Sequence, residues 1–450
     1  MGDLLSIGAS GARAYQTALS TVSENIANVG VAGYTRRTTD LREVASNGGG
    51  LNARVYLDGA GVVAGGITRQ ADVYRAQAVR NAGADLGRTE AGATWLGRIE
   101  TALTENDLGD RLTDFFTSAR TLSADPTSVP ARAVLLEKAG GAAAAFTQTG
   151  VSLARAREEL DTSAKQSAAT LNSLGASLAQ VNDGLARAHR GSSQAAQLMD
   201  QRDLLMERMS GIVDVAVQYD EIGRVELRLG GGTGPVFVAG VETGNVSVRR
   251  NDEGAMSFAV QRAGGKATLT PNGGALAGAV EGAQRLAAAT EALGQLARDF
   301  VTDVNAVQEG GADLDGLPGQ ALFALGATPT EIDVVPDDPR RIAAAVAGSP
   351  ANSRDASNLV RLEAARQGGG WEKRLVTLVT DNAAALEQRK LVADAQGTIR
   401  DNAVAARDVA SGVDLDNEAV ELLRFQQAFQ ASSRVIQTAR DILQSILEIR

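Results

Sequence analysis

One histidine, His189, and no cysteine limit the chemistry open to these 450 residues. Without cysteine there are no disulfides, thiolate nucleophiles or thiolate zinc sites. A histidine metal site or a serine, histidine, aspartate triad would rest on a single imidazole. His189 sits between Ala188 and Arg190 and is expected on an exposed helix surface. Asp200, Arg202 and Asp203 form a dense charge group. On a helix the two aspartates, three apart, share a face, which suits a structural ion pair with Arg202 pairing elsewhere. A carboxylate pair for cell-wall cleavage, for example Glu221 and Glu226, needs a set separation and opposed environments. Gly59, Gly61 and Gly65 miss the dinucleotide-binding spacing and follow no buried strand. Asp313, Asp315 and Gly316 lack the later ligands of a calcium loop and read as a turn. No catalytic residue, cofactor or metal site is expected, and the chain does not read as an enzyme.

The elements that carry these residues say more. Lys plus Arg total 44 against 54 Asp plus Glu, a net charge of −10. Phosphate backbones bind through Lys and Arg, so nucleic acid is not an expected partner. No run of about 18 apolar residues is present, so no membrane span is expected. The first basic residue is Arg13, and Leu4, Leu5 and Ile7 are interrupted by Ser6 and Gly8, so no cleaved secretory signal is expected. Aromatic residues supply 4% of the chain and Gly 50 positions, predicting an aliphatic, Ala-rich core.

All nine prolines lie between Pro126 and Pro350, leaving both ends free to form long helices. Ala12, Tyr15, Leu19, Val22, Ile26 and Val29 are spaced 3, 4, 3, 4 and 3, predicting a helix over residues 5–29 with one apolar seam. At the other end Leu415, Leu422, Phe429, Ile436 and Leu443 recur every seven residues, with Phe425, Ser432, Ala439 and Ile446 three further on. Val420, Leu423, Val435, Ile442 and Leu447 widen that stripe, so this helix needs neighbours on two sides. Residues 71–122, 130–209, 278–307 and 374–407 read as helices, rich in strong helix formers. Val225, Leu227 and Leu229 alternate with charged residues, opening a β unit over residues 222–270. At about 50 residues it has little core of its own and should dock or stay marginal. Residues 34–69, with Gly48 to Gly50 and a strand-like stretch at Val55, read as an extended connection, and 309–353 as an irregular crossing.

An apolar stripe on a long helix has to be covered. Periodicity serves equally a core helix of one domain and an antiparallel coiled coil of both termini packed on identical subunits. The broad apolar face at the C-terminal end favours the coiled coil, and head-to-tail packing of copies yields rings or tubes.

Residues 23–34, SENIANVGVAGY, resemble the N-terminal signature of flagellar rod, hook and hook-associated proteins, and residues 411–438, SGVDLDNEAVELLRFQQAFQASSRVIQT, their C-terminal one. The chain is most similar to the FlgK family of hook-associated proteins. Val413 to Glu418 followed by Leu422 to Gln427, the LMDQRD at residues 198–203, and the order of Phe115, Phe116, Pro126, Arg132 and Phe146 carry that resemblance. Gly30, Val31 and Ala32 replace the family's usual Asn, Thr, Pro run.

The resemblance implies a mainly α, elongated, layered axial protein with a small β insertion. Its expected parts are a terminal coiled-coil inner domain (1–35 and 405–450), a helical middle domain (36–215 and 273–404) and a small outer β domain (216–272). It implies a structural, extracellular subunit of the bacterial flagellum at the hook–filament junction, exported through the type III apparatus without cleavage. Implied partners are further copies in a ring, the hook subunit, a second hook-associated protein on the filament side, and an export chaperone at residues 422–447. The expected assembly interface is Tyr15, Leu19, Val22, Asn25, Ile26, Asn28, Leu422, Phe425, Phe429, Ile436, Leu443 and Ile446. Asn25 and Asn28 also suit a helix end, where Asn tolerates the left-handed conformation and Gly30 or Gly33 stops the helix. A rod or hook subunit is the nearest alternative; a cell-wall hydrolase of flagellar assembly is the enzymatic one.

Overall fold

The computed structural model describes residues 2–43, 61–251 and 254–448. The expectations at Gly48 to Gly50, Val55 and Gly59, and the middle of the turn at 251–254, lie outside the described residues.

The chain opens with α1 (Gly2–Ala27), a hairpin of β1 (Arg37–Glu43) and β2 (Val62–Arg69), then α2 (Val73–Thr104), α3 (Leu108–Ala124), α4 (Val129–Arg187) and α5 (Ser193–Ser210). Sequence chemistry sets these starts. Asp72, Ser128 and Ser192 each accept hydrogen bonds from backbone amides of the first turn of α2, α4 and α5. Two predicted helices are split. Asp107, in the left-handed region at φ 49°, separates α2 from α3 within the 71–122 stretch. Gly191, at φ 73°, lies between α4 and α5 within 130–209. His189 is exposed as expected, but in this connection and not on a helix.

Strands β3 (Val215–Tyr219), β4 (Val225–Leu229), β5 (Val236–Ala239) and β6 (Glu242–Thr243) form one antiparallel sheet. A second contains β7 (Asn245–Arg250), β8 (Met256–Arg262) and β9 (Gly265–Leu269). Val225, Leu227 and Leu229 face inward as their alternation predicts. The unit docks fully, because α4 serves as its spine. Asn182 exchanges hydrogen bonds with the Val225 backbone and reaches the Gly240 carbonyl; Asn172 does the same for Val246. Phe237, Val246 and Phe258 belong to the same core as the helices.

The chain continues through α6 (Gly274–Glu309), a crossing with short strands Phe323–Leu325 and Ile332–Val334, then α7 (Ser357–Gly369), α8 (Trp371–Ser411) and α9 (Leu415–Glu448). The core is not uniformly aliphatic. Phe115, Phe116, Phe146, Phe300, Phe323 and Trp371 form one cluster, with Phe116 stacked on Trp371 at 5.6 Å between centroids.

Helices α1 and α9 pair antiparallel: Gly8 lies against Ile436 and Asn25 against Glu418. On α1 the buried line is Gly8, Gly11, Ala14, Ala18, Val22 and Asn25, shifted from the predicted seam. Ala12, Tyr15, Leu19 and Ile26 flank it half-buried, and Val29 lies beyond the helix end, exposed. Close approach explains the shift: a Cβ on Gly8 would lie 2.8 Å from Ile436 Cγ1, and one on Gly11 2.8 Å from Ser432 Oγ. Small residues take the centre line where two backbones draw together.

The chain beyond residue 35 stays against the first helix. The β1–β2 hairpin packs on α1, through Leu41 and a 2.9 Å hydroxyl contact between Thr21 and Thr39. Toward the C-terminus, α8 runs unbroken past residue 405 to Ser411.

Candidate assembly site at the root of the terminal helices

Where α1 ends and α9 begins, four segments meet around a buried polar cluster. The last turn of α1 supplies Glu24 and Asn25. Beyond it the chain turns through Gly30 and Gly33, at φ 79° and 81°, conformations that favour glycine. This turn aims Tyr34, Thr35, Arg36 and Arg37 back at the helix. Asn25 is fully buried and its amide is fully used. It donates to the Arg37 carbonyl (2.8 Å) and to Glu418 Oε2 (2.9 Å), and accepts from the Arg37 amide and the Tyr34 hydroxyl.

Glu418, in the first turn of α9, has no solvent exposure and accepts a second bond from Arg36 Nε at 2.6 Å. The Arg36 amide donates to the Ser411 carbonyl, so one residue ties both the end of α8 and the start of α9. Arg37 reaches Glu24 (3.1 Å) and Asp200 (2.9 Å) and lies 4.8 Å from the centre of the Tyr34 ring. Arg69, from the end of β2, reaches Asp200 and Asp203, each at 2.8 Å. Arg202 pairs with the neighbouring Asp203, donates to the Gly223 carbonyl and covers the Tyr219 ring. Four guanidinium groups, at 36, 37, 69 and 202, thus face four carboxylates, at 24, 200, 203 and 418.

Burial pushes the Tyr34 phenol up to about 12, against the pull of Arg37. Burial also opposes the Arg37 charge, but the Asp200 hydrogen bond and the nearby carboxylates outweigh it and hold the guanidinium above its ordinary value. Every carboxylate of the cluster is engaged by a guanidinium. The cluster is a fastening. It pins the roots of both terminal helices to α5 of the helical body.

The predicted interface residues divide. Asn25, Val22 and Phe425 are spent inside the chain, buried against the opposite terminal helix or the cluster. Tyr15, Leu19, Ile26 and Leu422 are half-buried around them, with Tyr15 and Phe425 rings 6.4 Å apart. Phe429 and Ile436 are half-buried farther along α9, while Leu443 and the first-turn Leu415 are exposed. The Ile446 side chain lies outside the described residues. Asn28 donates to the Glu24 carbonyl, capping α1, and neither Asn adopts the left-handed conformation. The face of α9 turned away from α1 carries Val420 (64% exposed), Leu423 (58%), Val435 and Ile442. At 100° per residue these four lie within about 120° of the helix surface, interspersed with the exposed polar residues Arg424, Gln427, Arg434 and Asp441.

Sequence reading missed Arg36, Arg37, Arg69 and Glu418. The signal for the first two was at hand, since Arg36 and Arg37 follow one residue after the SENIANVGVAGY segment; Arg69 had none. Asp200 and Asp203 do enter structural ion pairs, Asp200 with Arg69 and Arg37, 131 and 163 positions away, and Asp203 with Arg69, 134 away, but Arg202, expected to pair elsewhere, pairs with Asp203 itself. Glu221 is 94% exposed and Glu226 pairs with Arg228, so the two do not form a cleft. Among the described residues, no group of three or more His, Asp or Glu side chains is placed to hold a metal ion, and no helix is long and apolar enough to cross a membrane.

The family model for the flagellar hook-associated protein FlgK helical domain matches residues 96–323. Two others match the termini: flagella basal body rod protein at 5–35 and flagellar basal body rod FlgEFG protein C-terminal at 409–449. Flagellar hook-associated protein 1 of Salmonella typhimurium is 30% identical over 341 residues, 72% of this chain and 60% of that protein. The same-named protein of Bacillus subtilis is 24% identical over 489 aligned positions, 96% of this chain and 95% of the relative. The chain thus spans about 60% of the length of the Salmonella relative it matches. A solved structure, the flagellar hook junction protein FlgK from Burkholderia pseudomallei, aligns with a TM-score of 0.49 and 24% identity over 56% of this chain and 47% of that one.

Proposed function

We propose, from the premise that this chain belongs to the flagellar hook-associated protein FlgK family, that it is a structural subunit of the bacterial flagellum at the hook–filament junction. It works outside the cell, and its product is shape and mechanical continuity, not a reaction. One observation carries this reading: α9 is rooted in a buried ion-pair cluster yet leaves the large apolar side chains of Val420, Leu423, Val435 and Ile442 uncovered. Each buried CH₂ is worth about 0.8 kcal/mol, so these side chains favour a covering surface. Among the described elements, α9 packs chiefly on α1. Repeated copies, each laying its terminal pair against the next, cover them and close into a ring.

The same side chains suit an export chaperone before assembly, because an uncovered apolar helix face is an aggregation hazard. In the assembled state the terminal layer meets the hook subunit on one side and a second hook-associated protein on the other. Tyr15, Leu19, Ile26, Phe429, Ile436 and Leu443 belong to that interface as its half-buried or exposed margin.

Truncation after Asp416 tests the reading. The expected product is a soluble helical body that neither polymerises nor supports filament growth, while the full chain is found by labelling at the hook tip. Filament growth on the truncated chain would refute the role of the terminal helices. A rod or hook subunit is the second reading, favoured by the rod-type matches at both termini; labelling along the rod or hook shaft would select it.

A further inference from the structure

Among the described residues four arginines are buried, at 37, 80, 132 and 202, and of these Arg80 alone meets neither a carboxylate nor a backbone carbonyl. In the cluster described above each guanidinium meets a carboxylate, and Arg132, buried without an ion pair, gives its donors to the Pro126 and Ile342 carbonyls at 2.7 and 2.6 Å. Arg80, on α2, is 3% exposed. Its only hydrogen bond among the described residues is from Nη2 to Gln77 Oε1, a neutral partner, at 2.7 Å. Its Nε is buried without a partner, and no described carboxylate forms an ion pair with it. A guanidinium stays charged at any pH a protein survives, and a buried ion without a counter-ion costs several kcal/mol.

Arg80 lines a cavity of about 480 Å³ between the 28–35 turn, the start of α2, α5 and the 411–413 joint that leads into α9. Four carboxylates share that lining and each is committed elsewhere. Asp72 caps α2 and pairs with Arg75; Asp203 holds Arg69 and Arg202; Glu207 and Asp408 both take Arg407. The cavity therefore contains one unmatched positive charge with free donors, and room for a group that supplies the negative one.

We propose that the Arg80 cavity is a carboxylate-binding site, filled in the assembled protein by an acidic side chain of a second copy of this chain. This rests on the self-assembly reading above and adds to it a specific polar contact. Two observations choose the occupant. The turn that walls the cavity exposes Val29 and Val31, apolar side chains that a protein surface would cover and a free ion would not. Acidic residues outnumber basic ones 54 to 44, so a facing copy is rich in the required group. Guanidinium and carboxylate match in a planar, two-bond geometry.

Two measurements on the full chain test it. The first is thermal unfolding of wild type, Arg80→Met and Arg80→Lys with sodium malonate against sodium chloride at matched ionic strength. Malonate should raise the wild-type midpoint, leave Arg80→Met unmoved and act weakly on Arg80→Lys, which keeps the cation but loses the fork. Without malonate, Arg80→Met should melt no lower than wild type, because it removes an uncompensated buried charge. The second is sedimentation over a concentration series. Wild type should assemble, Arg80→Met should need at least about tenfold more protein, and malonate should suppress wild-type assembly. Equal malonate response in wild type and Arg80→Met, or unaltered assembly of Arg80→Met, overturns the site. Failure of wild type to assemble at all instead overturns the self-assembly reading, and with it the second copy as occupant, while the malonate series still decides whether the cavity binds carboxylate.

Discussion

Asn25 and Glu418, 393 positions apart, share a 2.9 Å hydrogen bond that neither residue could replace with water, since both are fully buried. It joins the last turn of α1 to the first turn of α9 at the point where both leave the helical body.

Asn25→Ala should therefore cost more than a typical single hydrogen bond. It leaves the Tyr34 hydroxyl, the Arg37 backbone and Glu418 short of partners at once, and each stranded buried group costs about 1–3 kcal/mol. A loss of about 3 kcal/mol in urea unfolding is expected, with faster proteolysis within α1 and α9. Unchanged proteolysis would mean that the terminal pair holds together without its root.

Two neighbouring acids in the cluster should behave differently. Asp200→Asn strips a charge from both Arg37 and Arg69, whose side chains are 7% exposed, and should cost about 3–5 kcal/mol. Glu24→Gln weakens a pair whose acidic partner is 35% exposed and should cost about 1 kcal/mol or less. Equal losses for the two variants in the same denaturant series would contradict the burial argument.

On α4, a Cβ at Gly175 would lie 2.6 Å from the Phe237 ring, whereas one at Gly140 meets nothing within 4 Å. Gly175→Ala should destabilise by about 1–3 kcal/mol through overpacking between helix and sheet. Gly140→Ala should stabilise by up to about 1 kcal/mol, the ordinary gain of Ala over Gly in a helix. Calorimetry on the pair separates local helix preference from the packing that seats the β unit.

Alkaline titration should reveal Tyr34. Its folded value near 12 lies above the unfolded value of about 10. Between these values the unfolded chain releases a proton that the native one keeps, so stability falls as pH rises from 10 to 12 and is intact below 10. The phenol donates to Asn25, so its ionisation also removes that bond. Tyr34→Phe should flatten this part of the stability profile; an identical profile in the variant would assign the loss to other groups.

Periodic features were open to reading in advance. The heptads at both ends, the alternation at Val225, Leu227 and Leu229 and the long helices all follow from side-chain spacing along a single element. The breaks at Asp107 and Gly191 were not, because one residue in the left-handed region leaves no trace in the hydrophobic pattern around it. The seam on α1 was off centre for a related reason. Hydrophobic size marks Leu19 and Ile26, while the line of closest approach is chosen by what is small, Gly8, Gly11 and Ala18.

By itself, then, the order of residues determined which segments are helix or strand, which faces are greasy, and, through lengthy motif resemblance, the family. The pairing of charges was left to the folded chain. Arg36 meets Glu418 across 382 positions and Arg37 meets Asp200 across 163. An ion pair has no period and no preferred separation along the chain. Its partner is whichever opposite charge the packing of helices delivers, and an arginine such as Arg80 stands unmatched only once every other partner has been placed.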